Sequence, residues 1–267
     1  MNKIGIFLDD QGKIKEAEPF CRRALEGRER TLGRDHPDTL TLFNNLGALL
    51  QAQGKLDIAE PYFRRALEGF ERTLGRDHPD TLASVNSMGG LQKAQGKLDL
   101  AELFYRRALE GKERTLGRDH PSTLTSVGNV GLLLHSQGKL DLAEPFLRRA
   151  VEGRERTQGP DHPDTLTALN NLGALLKAQG KLSLAEPFYR RAFEGKERTL
   201  GRDHPSTLSS VSNLGGLLYT QGKLEFAEPY FRRALEGNER TFGRDHPDTL
   251  RSASNLRFLL TAIKKEK

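Results

Sequence analysis

From Asp35 to Gly75 the apolar positions fall into two helical stripes. Leu40, Phe43, Leu46, Gly47 and Leu50 recur at three- and four-residue spacing, and so do Ala59, Phe63, Ala66, Leu67 and Phe70. Pro37 suits the first position of a helix, where its missing N–H is no loss, and Asp38 meets the positive end of the helix dipole. Gly54 tolerates the left-handed backbone that ends a helix, so the spacing predicts a first helix from Pro37 to about Gly54. A second runs from about Leu56 and closes at Gly75. Pro61 lies among the free N–H groups of its first turn, so it bends the entry without breaking the helix. Leu103 replaces this proline in another stretch, so the fold does not demand it. The outer side carries Glu60–Arg64 and Glu68–Arg72, pairs worth a few tenths of a kcal/mol each, roughly.

The same pattern returns along the whole chain. Asp-His-Pro places histidines at His36, His78, His120, His162, His204 and His246, each step being 42 residues with no insertion or deletion. Gln-Gly-Lys recurs around Gly54, Gly96, Gly138, Gly180 and Gly222. Self-similarity at a fixed period of this length marks a stacked repeat architecture. The expectation is one domain over residues 1–267: a partial first repeat 1–34, repeats starting near 35, 77, 119, 161 and 203, and a closing helix 245–267. That makes about thirteen helices, one of them short, and no strands.

Two helices of about 15 residues cannot bury their faces alone, so each pair must pack on the next. Gly47, Gly89, Gly131, Gly173 and Gly215 return inside the first helix, and Gly69 and its equivalents inside the second. A mid-helix glycine costs about 0.5–1 kcal/mol relative to alanine, so its recurrence calls for close helix approach. At the ends, Asn2 aligns with Asn44, which leaves Ile4, Ile6, Phe7 and Leu8 short of cover and suggests end-to-end self-association or weak dimerisation. Arg257 replaces the first-helix glycine, as a capping helix with a polar back would.

Leu46-Gly47, Leu50, Gly54, Leu56, Ala59, Phe63 and Ala66 resemble the tetratricopeptide consensus. The longer period, Leu-Asn-Asn-Leu at Leu169–Leu172 and Gly-Lys-Leu…Ala-Glu-Pro at Gly54–Pro61 look like the repeats of kinesin light chains. Kinesin light chains carry a coiled-coil segment before their repeats, and no sustained heptad occurs here, so the resemblance is to the repeats and not to a motor subunit. It implies an all-α, right-handed superhelical solenoid of antiparallel helix pairs. It also implies a protein–protein interaction scaffold that holds an extended peptide in a concave groove lined by first helices.

Periodicity reaches the same face. Opposite the stripe of Leu40, Phe43, Leu46 and Leu50 lie Thr41, Asn45, Ala48 and Ala52. The position of Asn45 is held by Asn129, Asn171, Asn213 and Asn255 in other repeats, with Ser87 the exception. A neighbouring row reads Asn44, Asn86, Gly128, Asn170, Ser212 and Ser254. Asparagine offers both acceptor and donors to a peptide group, and kinesin light chains use asparagines of this motif on cargo peptides. The alternative is that these amides bond between adjacent helices or face water. A third row varies chemically: Gln51, Lys93, His135, Lys177, Tyr219 and Thr261. Lys93 and Lys177 beside His135 favour an acidic or aromatic-acidic segment, unless the row has simply drifted at exposed positions.

Composition trims the remaining possibilities. The net charge is +6, with acids interleaved among the bases, which reads as a mixed surface. The one cysteine, Cys21, excludes an internal disulfide framework and aligns with Phe63, a packing position. With no long apolar run and no signal-type start, the expected address is cytoplasmic, away from any membrane. One histidine per repeat cannot converge on zinc, whose ligands must lie about 2.0–2.3 Å from one ion; the histidines are expected to order the turn instead. No nucleophile, acid–base pair or phosphate loop interrupts the repeat, so neither an enzyme nor a cofactor is expected. An RNA-binding helical repeat is the alternative, disfavoured because Tyr219 is the one clear aromatic in the groove row. A purely structural or self-assembling spacer is another.

Overall fold

The structure, a computed structural model, describes residues 14–266. All twelve elements among them are α-helices. First-type helices are α2 (Pro37–Ala52), α4 (Pro79–Ala94), α6 (Pro121–Ser136), α8 (Pro163–Ala178), α10 (Pro205–Thr220) and α12 (Pro247–Glu266). Second-type helices are α1 (Ile14–Leu32), α3 (Leu56–Leu74), α5 (Leu98–Leu116), α7 (Leu140–Gln158), α9 (Leu182–Leu200) and α11 (Leu224–Phe242). The short helix expected before α1, with Ile4 to Leu8, lies outside the described residues. By its internal packing the chain forms two bodies, residues 1–133 and 134–267. In the N-terminal body α1 to α5 pack in chain order, each on the next, and α2 also touches α4. In the C-terminal body α7 to α12 do the same in chain order.

The boundaries follow from local chemistry. His36 Nδ1 accepts the Asp38 N–H at 3.2 Å, and His78, His162 and His246 cap their helices alike. His120 and His204 accept from Ser122 and Ser206 at 3.1 Å. The histidines therefore order the turn, as expected. At the other end Gly54 takes φ +75°, while Gly54 N–H reaches Gln51 O and Lys55 N–H reaches Leu50 O, both at 2.9 Å. That paired closure is the Schellman ending, which a side chain at Gly54 would strain.

Close helix approach is visible at the glycines. A methyl group at Gly47 would lie 3.0 Å from Phe63 Cγ, and at Gly89 2.7 Å from Tyr105 Cδ1. One at Gly69 would fall inside the Leu40 side chain, and one at Gly195 inside Leu166. Leu40, Leu82, Leu166 and Leu208 are no more than 1% exposed as a result.

Polar straps join successive repeats. Glu18 accepts Lys55 Nζ at 2.8 Å and Arg22 at 2.9 Å, with Gln53 also bonded to it. Glu144 takes Lys181 at 2.8 Å and Gln179 at 3.0 Å, and Glu186 takes Gln221 and Lys223, both at 3.1 Å. The Gln-Gly-Lys marker thus does two jobs: its glycine ends a helix and its flanks clasp the glutamate of the preceding second helix. Of the two expected i,i+4 pairs, Glu60–Arg64 forms at 2.5 Å. The second is corrected: Arg72 bonds Asp35, at the start of its own repeat, in place of Glu68. Arg114–Asp77 at 2.6 Å and Arg240–Asp203 at 2.8 Å repeat that reach. Arg72 sits in the last turn of its helix, where Asp35, in the preceding loop, offers a carboxylate that can serve Arg65 as well.

Two outcomes test this packing. Gly89→Ala should destabilise by about 1–3 kcal/mol in chemical denaturation, overlap with Tyr105 outweighing the gain in helix propensity. Hydrogen bonds from the strap hold the carboxyls of Glu18, Glu144 and Glu186 down to about 2, from an ordinary 4.5. Folded-state values below the unfolded ones mean that the straps stabilise fully above about pH 4.5 and lose this as pH falls toward 2. Replacing all three glutamates by glutamine should lower the melting temperature at pH 7 and shrink its fall between pH 5 and 3, on the order of 1 kcal/mol or less per site.

Candidate functional site

The polar face of the first helices lies where periodicity puts it. Thr41, Ala48 and Ala52 are exposed, Asn45 beside them is half-buried, and Leu40, Phe43, Leu46 and Leu50 are buried on the other side. In the N-terminal body this face carries Asn44, Asn45, Asn86, Asn129 and Lys93, all half-buried. In the C-terminal body it carries His135, Asn170, Asn171, Lys177, Asn213, Tyr219 and Asn255, half-buried as well. None of the row points into the packed interior.

The two asparagine rows meet across neighbouring first helices. Asn129 Nδ2 donates to Asn86 Oδ1 at 2.8 Å, and Asn213 Nδ2 to Asn170 Oδ1 at 2.9 Å. Bonding between adjacent helices therefore holds for these four residues, each pair consuming one donor and one acceptor. The chain of amides has a gap at Asn44. Its Oδ1 is buried without a partner, because the donor position in the next repeat is Ser87, whose hydroxyl bonds Ala83 O in its own helix at 3.2 Å.

The varied row behaves differently. Lys177 Nζ crosses to the next first helix and donates to Gly216 O at 3.0 Å. A methyl at Gly216 would stand 3.5 Å from that ammonium, so the small residue gives it access to the carbonyl. Burial pushes the Lys93 and Lys177 ammonium groups below the usual lysine range. Lys177, Tyr219 and Asn255 come together with Ser212, Gly216 and Phe258 around a cleft of about 310 Å³. The others do not join it. Phe258 is 72% exposed and escaped the sequence reading. The signal for it was present: Phe258 is the one aromatic at a register that holds Ala48, Gly90, Leu132, Ala174 and Gly216.

Among the described residues no group of three or more His, Cys, Asp or Glu side chains gathers to hold a metal ion. No described helix is long and apolar enough to cross a membrane. Cys21 is buried at 8% exposure, in keeping with a packing position.

Comparison with known proteins gives the same architecture. The tetratricopeptide repeat matches residues 1–71, 38–114 and 122–198, and a second description of that repeat matches 207–248. BtubC (BKLC) from P. vanneervenii is similar in structure, with TM-score 0.72 at 20% identity over 88% of this chain and 94% of that one. A Podosopora anserina protein named as a kinesin light chain with nearly identical TPR-like repeats gives 0.66 at 23% identity, over 78% of this chain and 98% of its own. The apo form of RapI gives 0.63 at 14% identity, over 98% and 95%. At such identities the likeness is one of fold.

The gap at Asn44 makes a test of the amide rows. Ser87→Asn should place an Nδ2 donor on Asn44 Oδ1 and stabilise the chain by about 1 kcal/mol. A double-mutant cycle with Asn44→Ala measures the coupling, and additivity of the two changes would show that the bond does not form.

Proposed function

We propose that this chain, which belongs to the tetratricopeptide repeat family, holds an extended segment of a partner protein against the polar face of its first helices. The family typically mediates protein–protein interactions. The observation that carries the finer reading is the cleft in the C-terminal body, where a cation, an amide, a hydroxyl and an exposed ring surround glycine backbone. The cleft is of a size to take one side chain and its flanking peptide groups.

Each group has a part. Asn255 can accept a peptide N–H and donate to a peptide carbonyl. Lys177 spends one donor on Gly216 O, leaving two for a carboxylate, and its burial raises the strength of such a pair. Phe258 and Tyr219 offer ring surface to an apolar or aromatic residue. Lys93 repeats the cation in the N-terminal body, and Asn129 and Asn213 keep one N–H and their oxygen beyond the bonds they make. The favoured ligand is an acidic segment with an apolar or aromatic side chain, bound and not chemically altered.

A peptide array supplies the ligand for the test. Asn171, Asn213 and Asn255 changed together to alanine should weaken the best acidic hit about tenfold or more. Lys177→Glu should weaken it further and flatten its dependence on salt. Equal affinity in folded variants, judged by helicity and melting temperature, would sink the proposal.

A further inference from the structure

We infer that the N-terminal body carries a second, separate site, on the second-helix side of α2, for a small planar aromatic group bearing a carboxylate. A cleft of about 500 Å³ opens there between α1 and α3, floored by Leu25, Phe43, Leu46 and Tyr62. The Phe43 and Tyr62 rings lie 6.1 Å apart, tilted by 38°. Arg65 stands over the Phe43 ring and Arg22 over the Tyr62 ring, each 5.8 Å from the centroid. Arg22 also donates to Tyr62 Oη at 2.8 Å, which fixes the phenol.

The lining charges favour an anion. Arg22, Arg34 and Arg65 face Glu26 and Glu29, a net excess of one positive charge. Glu29 is already taken by Arg34 Nε at 2.8 Å. Arg22 is committed to Glu18 and Tyr62, and Arg65 uses Nη2 on Asp35 and the Arg34 carbonyl. Arg34 Nη1 and Nη2, on a side chain 70% exposed, have no partner among the described residues, nor have Arg65 Nε and Nη1. Two guanidinium edges are thus open above an aromatic floor. That combination stacks a ring and receives a carboxylate beside it.

The arrangement is not an accident of one repeat. In the C-terminal body Phe193 and Tyr230 lie 6.2 Å apart, edge to face, with Arg233 5.0 Å over Phe193 and Arg190 bonded to Tyr230. Tyr230, Arg233 and Arg190 are the register equivalents of Tyr62, Arg65 and Arg22, but Phe193 corresponds to Leu25, and the equivalent of Phe43 is Val211. The same box is built from different phenylalanines, so duplication alone did not copy it. Phe43 is the one aromatic at its register, which reads Val85, Val127, Leu169, Val211 and Ala253 elsewhere.

Those sister residues supply variants that fold. Phenylacetate titrated into the full chain, followed through arginine Nε–Hε resonances, should saturate with Kd on the order of 1 mM. Acetate and benzyl alcohol, charge and ring apart, should each bind about tenfold more weakly. N-acetyl-Asp-Phe-amide carries the same chemistry on a peptide. Tighter binding by it than by phenylacetate assigns the site to a partner segment, the reverse to a free aromatic acid. Phe43→Val should abolish saturation while keeping the melting profile, and Arg34→Gln should erase the preference for phenylacetate over benzyl alcohol. No saturation by about 20 mM, phenylacetate bound equally by Phe43→Val, or acetate binding as well as phenylacetate would each overturn the site. Because these residues lie away from the asparagine face, neither result decides the peptide-binding reading.

Discussion

A bulky side chain seated on a glycine is the interaction on which the rest depends. Phe63 rests on Gly47 within a helix pair, and Leu40 fills the notch at Gly69. Both contacts bring helix axes closer than any side chain at the glycine would allow, and both require plug and notch to face each other. One inserted residue would turn everything beyond it by about 100° around the helix and carry the leucine out of its notch. A chain built on such contacts tolerates substitutions at many positions but no insertion inside a helix. That accounts for the unbroken step of 42 residues.

Fixed spacing also decides what the polar residues can do. With the helices held close, Asn129 finds Asn86, and Lys181 finds Glu144, across the junction of neighbouring repeats. The residue type differs from one repeat to the next at the position of Phe70, which holds Lys112 and Asn238 elsewhere, all of them buried. Lys112 bonds Ser126 Oγ at 3.1 Å and Asn238 bonds Ser252 Oγ at 2.9 Å. Where phenylalanine stands, the matching Ser84 hydroxyl has no partner. Leaving a buried hydroxyl unpaired costs about 1–3 kcal/mol, and Ser210 is unpaired too, although Lys196 stands there at the position of Phe70. The repeats look interchangeable by consensus, and by hydrogen-bond accounting they are not.

Nearly all of the fold was legible from the residues. Pro37, Gly54 and Gly75 mark helix ends to within two residues, because each acts through its own backbone. The exposed row of Thr41, Ala48 and Ala52 follows from a period, and periods survive any detail of packing. What stayed hidden depends on reach between residues far apart in sequence. Arg72 on Asp35, the asparagine pairs and the orphaned Asn44 oxygen are choices among partners at similar distances, set by rotamers that no spacing encodes. In the candidate site, Lys177, Tyr219 and Asn255 were legible as row members, while the cleft that joins them was not.

The departures from symmetry point to function more sharply than the shared pattern does. In a chain of near-copies, contacts common to every repeat answer to stability, since each repeat must stack. A residue that departs from its register, keeps the stacking contacts and alters only the surface has no such duty. Phe258 is of this kind: it is the one aromatic at its register, and its ring is 72% exposed, an arrangement that contributes nothing to the core. Phe43 is the buried counterpart, its ring 6% exposed on a cleft floor at a register that holds valine, leucine or alanine elsewhere. Leu250, 56% exposed, shows the contrast. It keeps the consensus leucine of Leu40, so its exposure comes with no change of side chain. Exposure alone therefore does not mark a binding residue in this chain; exposure combined with a changed side chain does.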